Sequence, residues 1–243
     1  MKLMPLVVLL SSVMTAGAAQ AESIKFAMEA TYPPFEYTND KNELVGFDVD
    51  VANALCVELK AECSFHNQAF DSLIPALKFR RYDAAISAMD ITAERLEQVA
   101  FSDAYYDNSA SFISADGKFS DTDALKGKRV GVQNGSTHQK YITEQLPGVE
   151  AVPYASYQNA FIDMKNGRID AVFGDTAVVA EWLKKDDALA TVGKPVTDTK
   201  YFGQGFGIAV NQENQELVKK LNQALASIQK DGTYKTIYDK WFQ

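Results

Sequence analysis

Leu77-Lys78-Phe79-Arg80-Arg81-Tyr82-Asp83-Ala84-Ala85-Ile86-Ser87 and Met164-Lys165-Asn166-Gly167-Arg168-Ile169-Asp170-Ala171-Val172-Phe173-Gly174 share one plan. Each reads as a helix end, a tight turn, and a strand emerging at Asp-Ala. A polar cluster comes after each strand, Ala88-Met89-Asp90 in the first and Asp175-Thr176 in the second. Chance likeness of two helix–strand units is the bland alternative. A true repeat means two similar α/β lobes, each presenting the carboxyl end of a strand. Such ends are where α/β sheets hold ligands.

Working outward, Ser23 to Glu29 alternates Ile24, Phe26 and Met28, a strand pattern. Thr31-Tyr32-Pro33-Pro34-Phe35 reads as a loop, because paired prolines fix φ and remove donors. Asp48 to Leu59 carries Val51, Leu55 and Leu59 at helical spacing. A second helix is expected from Asp71 as N-cap to Phe79, with Pro75 in its first turn, and then a buried strand over Tyr82 to Ser87. Tyr105 to Ser109 marks the lobe boundary, and Lys128 to Gln133 reads as the first strand of the second lobe. Asn134-Gly135-Ser136-Thr137 then turns into a helix from His138 to Gln145. The chain is expected to cross back over Asp198 to Gly205 into a strand at Phe206 to Val210. The amphipathic helix Glu216 to Gln229 then rejoins the first lobe. The expected division is 22–107 with 205–243 as lobe 1, and 108–204 as lobe 2. Two crossings make a hinge.

Lys2, the apolar run Leu3 to Ala16 and Ala19-Gln20-Ala21 form a cleavable signal peptide over residues 1–21, too short and too broken for a membrane span. The mature chain, about 220 residues, suffices for two lobes of about 100 each. A net charge of -8 disfavours nucleic acid and anionic membranes as partners. Cys56 and Cys63 are the only cysteines, and an exported chain holds such a pair as a disulfide. A zinc site needs further ligands, and only His66 is near. No metal or cofactor is expected.

Several motifs together resemble the family 3 periplasmic solute-binding proteins. They are Gly46-Phe47-Asp48-Val49-Asp50-Val51-Ala52-Asn53-Ala54-Leu55, Thr31-Tyr32-Pro33-Pro34-Phe35, Phe70-Asp71-Ser72-Leu73-Ile74-Pro75, and Ile91-Thr92 with Arg95. Phe101-Ser102-Asp103-Ala104-Tyr105-Tyr106, Gly135-Ser136-Thr137 and Asp231-Gly232-Thr233-Tyr234 complete the set in the family's order. The resemblance is greatest to the arginine-binding and lysine-arginine-ornithine-binding members, which also carry a close Cys pair. It implies a type II periplasmic-binding-protein fold that closes on an amino acid, then docks on the permease of an ABC importer. A periplasmic monomer is expected.

Carried over by position, the resemblance implies that Arg95 clamps the α-carboxylate with Ser136 and Thr137, and that Asp175 takes the α-ammonium. Glu29, Tyr32 and Phe70 then surround the side chain, while Ser87, Ala88 and Met89 line the strand end. Elementary chemistry agrees. A guanidinium holds a carboxylate through two parallel bonds, and free amides at the Gly135-Ser136-Thr137 helix start form a second anion site. Aromatic faces at Tyr32 and Phe70 suit an alkyl stem or a flat cation. Taken alone, Arg95 also reads as a surface residue paired with Glu94 or Glu97, and the two aromatics as core. Asp175 and Thr137 also read as helix caps.

Glu29 and Asp90 add negative charge beyond what a zwitterion needs, and the broader-specificity binder has a serine where Asp90 stands. Buried carboxylates without partners are costly, so the surplus favours a cationic side chain, arginine before lysine, ornithine or histidine. Gln133 offers an amide oxygen to a guanidinium, whereas Asp48 reads as ligand-facing or structural. Glutamine is a further alternative ligand. A dehydratase on the same fold is the rival enzyme, but neither His66 nor His138 has a visible partner. Ligand sensors of this fold usually continue into a membrane helix.

Overall fold

The computed structural model of the protein describes residues 22–202 and 204–243. The signal peptide expected over residues 1–21 lies outside them. The chain opens on β1 (Ser23–Met28), then a small antiparallel meander of β2 (Thr31–Tyr32), β3 (Glu36–Thr38) and β4 (Leu44–Val45). Next come α1 (Phe47–Leu59), β5 (Glu62–Asn67), α2 (Leu73–Lys78), β6 (Ala84–Ala85), α3 (Ala93–Leu96) and β7 (Val99–Phe101). A second run holds β8 (Ala110–Ala115), β9 (Arg129–Gln133), α4 (Thr137–Gln145), β10 (Glu150–Tyr154), α5 (Tyr157–Lys165), β11 (Ala171–Asp175), α6 (Thr176–Leu183) and β12 (Leu189–Val196). The chain then returns as β13 (Ala209–Asn211), α7 (Gln215–Lys230) and α8 (Thr233–Phe242).

Two five-stranded sheets result, ordered β5-β1-β6-β13-β7 and β10-β9-β11-β8-β12. Their pairing senses match strand for strand. The first three strands of each are parallel, and the last two pair antiparallel. The sequence repeat falls on corresponding pieces, α2 into β6 and α5 into β11. It is therefore an architectural repeat, with each sheet carrying its own helices as a lobe.

Several local expectations change. Thr31 and Tyr32 are strand rather than loop, because the two prolines only turn the hairpin that pairs them with Tyr37 and Glu36. Asp71 does not cap α2. The helix is entered through a 3₁₀ turn over Phe70–Ser72, with Ser72 at its N-cap, and Asp71 instead accepts from Asn134 Nδ2 at 2.6 Å. The strand expected over Tyr82 to Ser87 shrinks to Ala84–Ala85, since the chain leaves the sheet to form the cleft floor. The strand expected from Phe206 begins at Ala209. Lys128 to Gln133 is a strand but not the first of its sheet, which is β8. In register across β8 and β11, Phe112 and Phe173 stack with centroids 3.8 Å apart, an aromatic cross-strand pair that locks the sheet centre.

In α7, Leu217, Leu221, Leu225 and Ile228 are buried, as their spacing requires, and the helix packs on α1. Each such side chain contributes about 1.5–3 kcal/mol by leaving water. The two crossings between sheets run side by side. Phe206 N donates to Tyr106 O and Tyr105 N to Phe206 O, both at 2.8 Å. Gly205 makes that approach possible, because its φ is +75° and a Cβ there would lie 2.4 Å from Tyr106 O.

Cys56 and Cys63 form a disulfide that ties α1 to β5, with Cα atoms 6.2 Å apart. Thiol titration of denatured protein is expected to find no free thiol until reductant is added. Replacing both cysteines with serine is expected to lower stability by about 2–3 kcal/mol, the loop-closure value for so short a ring. Unchanged denaturant unfolding would show that the bridge contributes nothing.

Candidate functional site

The ends of β1, β6, β9 and β11 converge where the lobes face each other, and their side chains meet directly across the gap. Tyr32 stacks on Tyr157 at 5.2 Å, and its hydroxyl donates to Asp175 Oδ2. Thr137 Oγ1 donates to Asp90 Oδ2 at 2.7 Å, and Gln133 Nε2 to Glu29 Oε2 at 3.3 Å. Lys140 pairs with Glu94 at the mouth. Gly135, in the left-handed region at φ +74°, brings its Cα side against Asp71, where a Cβ would lie 3.1 Å from Asp71 Cβ. The cleft is shut. Its inner cavity measures about 10 Å³, close to the space of one water. A separate groove of about 620 Å³ lies outside between α3 and α4, and Ser136 and Thr137 line both.

Tyr32, Phe70, Ala88, Asp90, Gln133, Ser136, Thr137 and Asp175 surround the inner cavity, together with His138 and Tyr157. Four expected site residues stand elsewhere. Met89 is a correction. Its side chain is only 1% exposed and packs in the core with Leu73, Leu77 and Val99, because alternation along the chain turns it away from Ala88 and Asp90. Ser87 lies one layer below the cavity, where its hydroxyl donates to Glu36 Oε1 at 2.6 Å and accepts from the Glu29 amide. Glu29 sits behind Gln133 and accepts from Thr31 Oγ1 at 2.5 Å. Burial raises its pKa against those hydrogen bonds.

Arg95 lies at the edge between cavity and groove. It is 7% exposed, so it is not the surface residue that pairs with Glu94 or Glu97. Nη1 donates to Asp90 O at 2.9 Å and Nη2 to Gly135 O at 3.3 Å, across the gap. The guanidinium also lies 5.5 Å above the Phe70 ring. Five N–H donors minus two leave capacity for a bidentate anion. The start of α4 is less open than expected. Gly135 N donates to Gln139 Oε1, Ser136 N to Gln133 O, and Gln139 N to Ser136 Oγ. Of that first turn, only the Thr137 and His138 amides stay unpaired among the described residues. Asp48 is structural rather than ligand-facing, being fully buried and bonded to Ala88 N and Tyr105.

Sequence reasoning missed Asn108, His138 and Tyr157. His138 Nε2 stands 3.1 Å from Asp175 Oδ1, both groups being buried, yet neither ring nitrogen has a hydrogen-bond partner among the described residues. Asn108, in the first crossing, donates from one Nδ2 to Asp90 Oδ1 at 2.8 Å and to Asp175 Oδ1 at 2.6 Å. It therefore bridges carboxylates from opposite lobes. Its place just after the aromatic pair at the boundary was the available signal. Burial, and then Asp175, pushes the Asp90 carboxyl up to about 7, against Arg95, His138 and Thr137.

Residues 24–243 match the bacterial extracellular solute-binding proteins, family 3. The chain belongs to that family. Among its relatives, the putative ABC transporter arginine-binding protein 2 of Escherichia coli K12 is 62% identical over 227 residues, 93% of each chain. ABC transporter arginine-binding protein 1 of the same strain is 58% identical, over 100% of this chain and 99% of that one. Among solved structures, a Salmonella typhimurium periplasmic binding protein of high arginine specificity superposes with a TM-score of 0.89 at 44% identity. That match covers 92% of this chain and 100% of the other. This solute-binding protein accordingly has the two-lobed type II fold.

The sign of the Asp90 shift sets a pH dependence. A carboxyl with a raised folded-state pKa contributes stability at low pH, and that contribution is lost as pH rises through about 7. Asp90→Asn is expected to remove up to one proton from the pH slope of ligand-free stability between about pH 4 and 7. Denaturant unfolding of both proteins across that range checks it, and identical slopes would contradict it.

Proposed function

We propose that this protein captures a cationic L-amino acid, arginine first, between its lobes and delivers it to the membrane permease of an ABC importer. The observation that carries the reading is the meeting of Asp90 and Asp175 at one Asn108 amide, with Glu29 buried behind them. Closing the cleft concentrates negative charge in a low dielectric, and a cation between the carboxylates relieves it. The names of the relatives support arginine and the transport role. They are also binding proteins rather than enzymes. On the same reading the mature protein works in the periplasm as a monomer, residues 1–21 being its cleaved signal. No helix among the described residues is long and apolar enough to cross a membrane.

In this reading the moving units are 22–107 with 205–243, and 108–204. The cavity is too small for an amino acid, so entry requires these lobes to part along the paired crossings. Arg95 takes the α-carboxylate with the Thr137 side chain and the free amides at the start of α4. Asp175 takes the α-ammonium, which displaces the Tyr32 hydroxyl. Tyr32 and Phe70 flank the stem, and Asp90, Glu29 and Gln133 meet the guanidinium. The ligand favours the closed form only through contacts it lacks in the open one.

Calorimetric titration of refolded, ligand-free protein is expected to find arginine at least about a hundredfold tighter than glutamine, its uncharged near-isostere. Each tenfold corresponds to about 1.4 kcal/mol. Equal affinities would defeat the charge argument. Arg95→Met and Asp175→Asn are each expected to cost about 2–5 kcal/mol in binding, the range for truncating a buried charged partner. Small-angle scattering on Asp175→Asn is expected to lose the fall in radius of gyration when arginine is added. Variants that bind and close like the parent would overturn the assignment.

A further inference from the structure

Beneath the cleft floor, Glu36 in β3 and Asp48 in the first turn of α1 are both 0% exposed. Glu36 Oε1 accepts from the Ser87 hydroxyl at 2.6 Å. Asp48 Oδ2 accepts from the Ala88 amide and from the Tyr105 hydroxyl, each at 2.8 Å. The remaining oxygens, Glu36 Oε2 and Asp48 Oδ1, are buried with no donor among the described residues. The two carboxyl groups are neighbours, because their partners Ser87 and Ala88 are consecutive residues. The other titratable groups that act on the pair are Glu29, Asp175 and Tyr105, and none of them is cationic. Two ionised carboxylates side by side, with no cation near them and one oxygen of each left without a donor, bear both repulsion and desolvation. One proton between them removes both penalties and satisfies both orphan oxygens.

We infer that Glu36 and Asp48 share a single proton and act together as positioning residues for the cleft floor at Ser87 and Ala88. The inference rests on the ligand reading above. The pair reaches three site residues. Ser87, held by Glu36, accepts the Glu29 amide at 3.0 Å. Ala88, which lines the cavity, has φ +43°, a conformation rarely adopted by a residue with a Cβ, and its amide bond to Asp48 holds it there. Burial, and then the charge of Asp48, drives the Glu36 carboxyl well above the usual carboxylate range. Burial raises Asp48 to about 6 against its bonds from Ala88, Tyr105 and Glu36. At neutral pH the pair therefore holds one proton between Glu36 Oε2 and Asp48 Oδ1, the two oxygens left without a donor.

The arrangement needs one donor and one acceptor at the contact, and amide variants test that requirement. Glu36→Gln supplies an N–H donor in place of the O–H, and Asp48→Asn supplies the donor from the other side. The double variant sets two NH₂ groups face to face. Infrared spectroscopy of the mature protein carrying Asp90→Asn, which removes the other carboxyl that titrates near 7, is expected to show at pH 7 a protonated-carboxyl band that is lost when Glu36→Gln is added. Arginine titration is expected to leave each single variant within about threefold of the parent, and to show the double variant at least about tenfold weaker than the product of the two single effects. Above neutral pH the parent is expected to lose affinity as the shared proton leaves, whereas Glu36→Gln stays flat. A band unchanged in Glu36→Gln, or strictly additive amide variants, would overturn the shared proton. Failure of the parent to bind arginine would instead strike the ligand reading, since the infrared result does not depend on ligand.

Discussion

Asp90 and Asp175 stand on opposite lobes, both buried, and share the side-chain amide of Asn108. Repulsion between like charges grows as water is excluded, so several of the polar groups around them are committed to holding them together. Thr137 and the Tyr32 hydroxyl each give one of them a hydrogen bond, and His138 lies against Asp175. Arg95 is fixed by the backbone of Asp90 on one side and of Gly135 on the other, so its position depends on the same closure. The crossing that carries Asn108 is also the one whose backbone pairs with Phe206. Charge balance in the cleft and the geometry of the hinge therefore meet on one segment of chain.

The parts of the fold legible in the sequence were those whose burial is one-sided. The stripe on α7 and the alternation of β1 each announce a face. β8 escaped notice because Ala110 to Ile113 is buried on both sides of its sheet, leaving no polar–apolar period to read. Capping chemistry misled at Asp71, whose carboxylate turned out to serve Asn134 in the other lobe. In the site, Tyr32, Phe70, Ser136 and Thr137 come from recognised motifs and surround the cavity, Arg95 stands at its edge, and Met89, outside those motifs, is turned away by backbone alternation. Asn108, His138 and Tyr157 were invisible for a different reason. Their partners lie 18 to 67 residues away for Asn108, and only the folded topology brings them together.

The first lobe buries four of its acidic side chains, with Arg95 the one buried base among its described residues. Glu29, Glu36, Asp48 and Asp90 are buried, whereas Arg80, Lys220 and Lys240 form exposed or half-exposed ion pairs. Exposed pairs contribute little to stability. The interior acids, in contrast, govern which protonation and ligand states the cleft tolerates, and the net charge of -8 understates how unevenly that charge is placed.

β13 lies between β6 and β7 in its sheet, yet it is separated from them in the chain by the whole of the second lobe. The second sheet uses only residues 110–196. A chain that emerges N-terminus first can finish the later-starting lobe while the earlier one still has a missing slat. Until Ala209–Asn211 slides in and α7 covers α1, β6 and β7 present open edges of the kind that recruit foreign strands. The order of completion thus runs opposite to the order of synthesis, and the lobe that starts first is the one most exposed to misassembly.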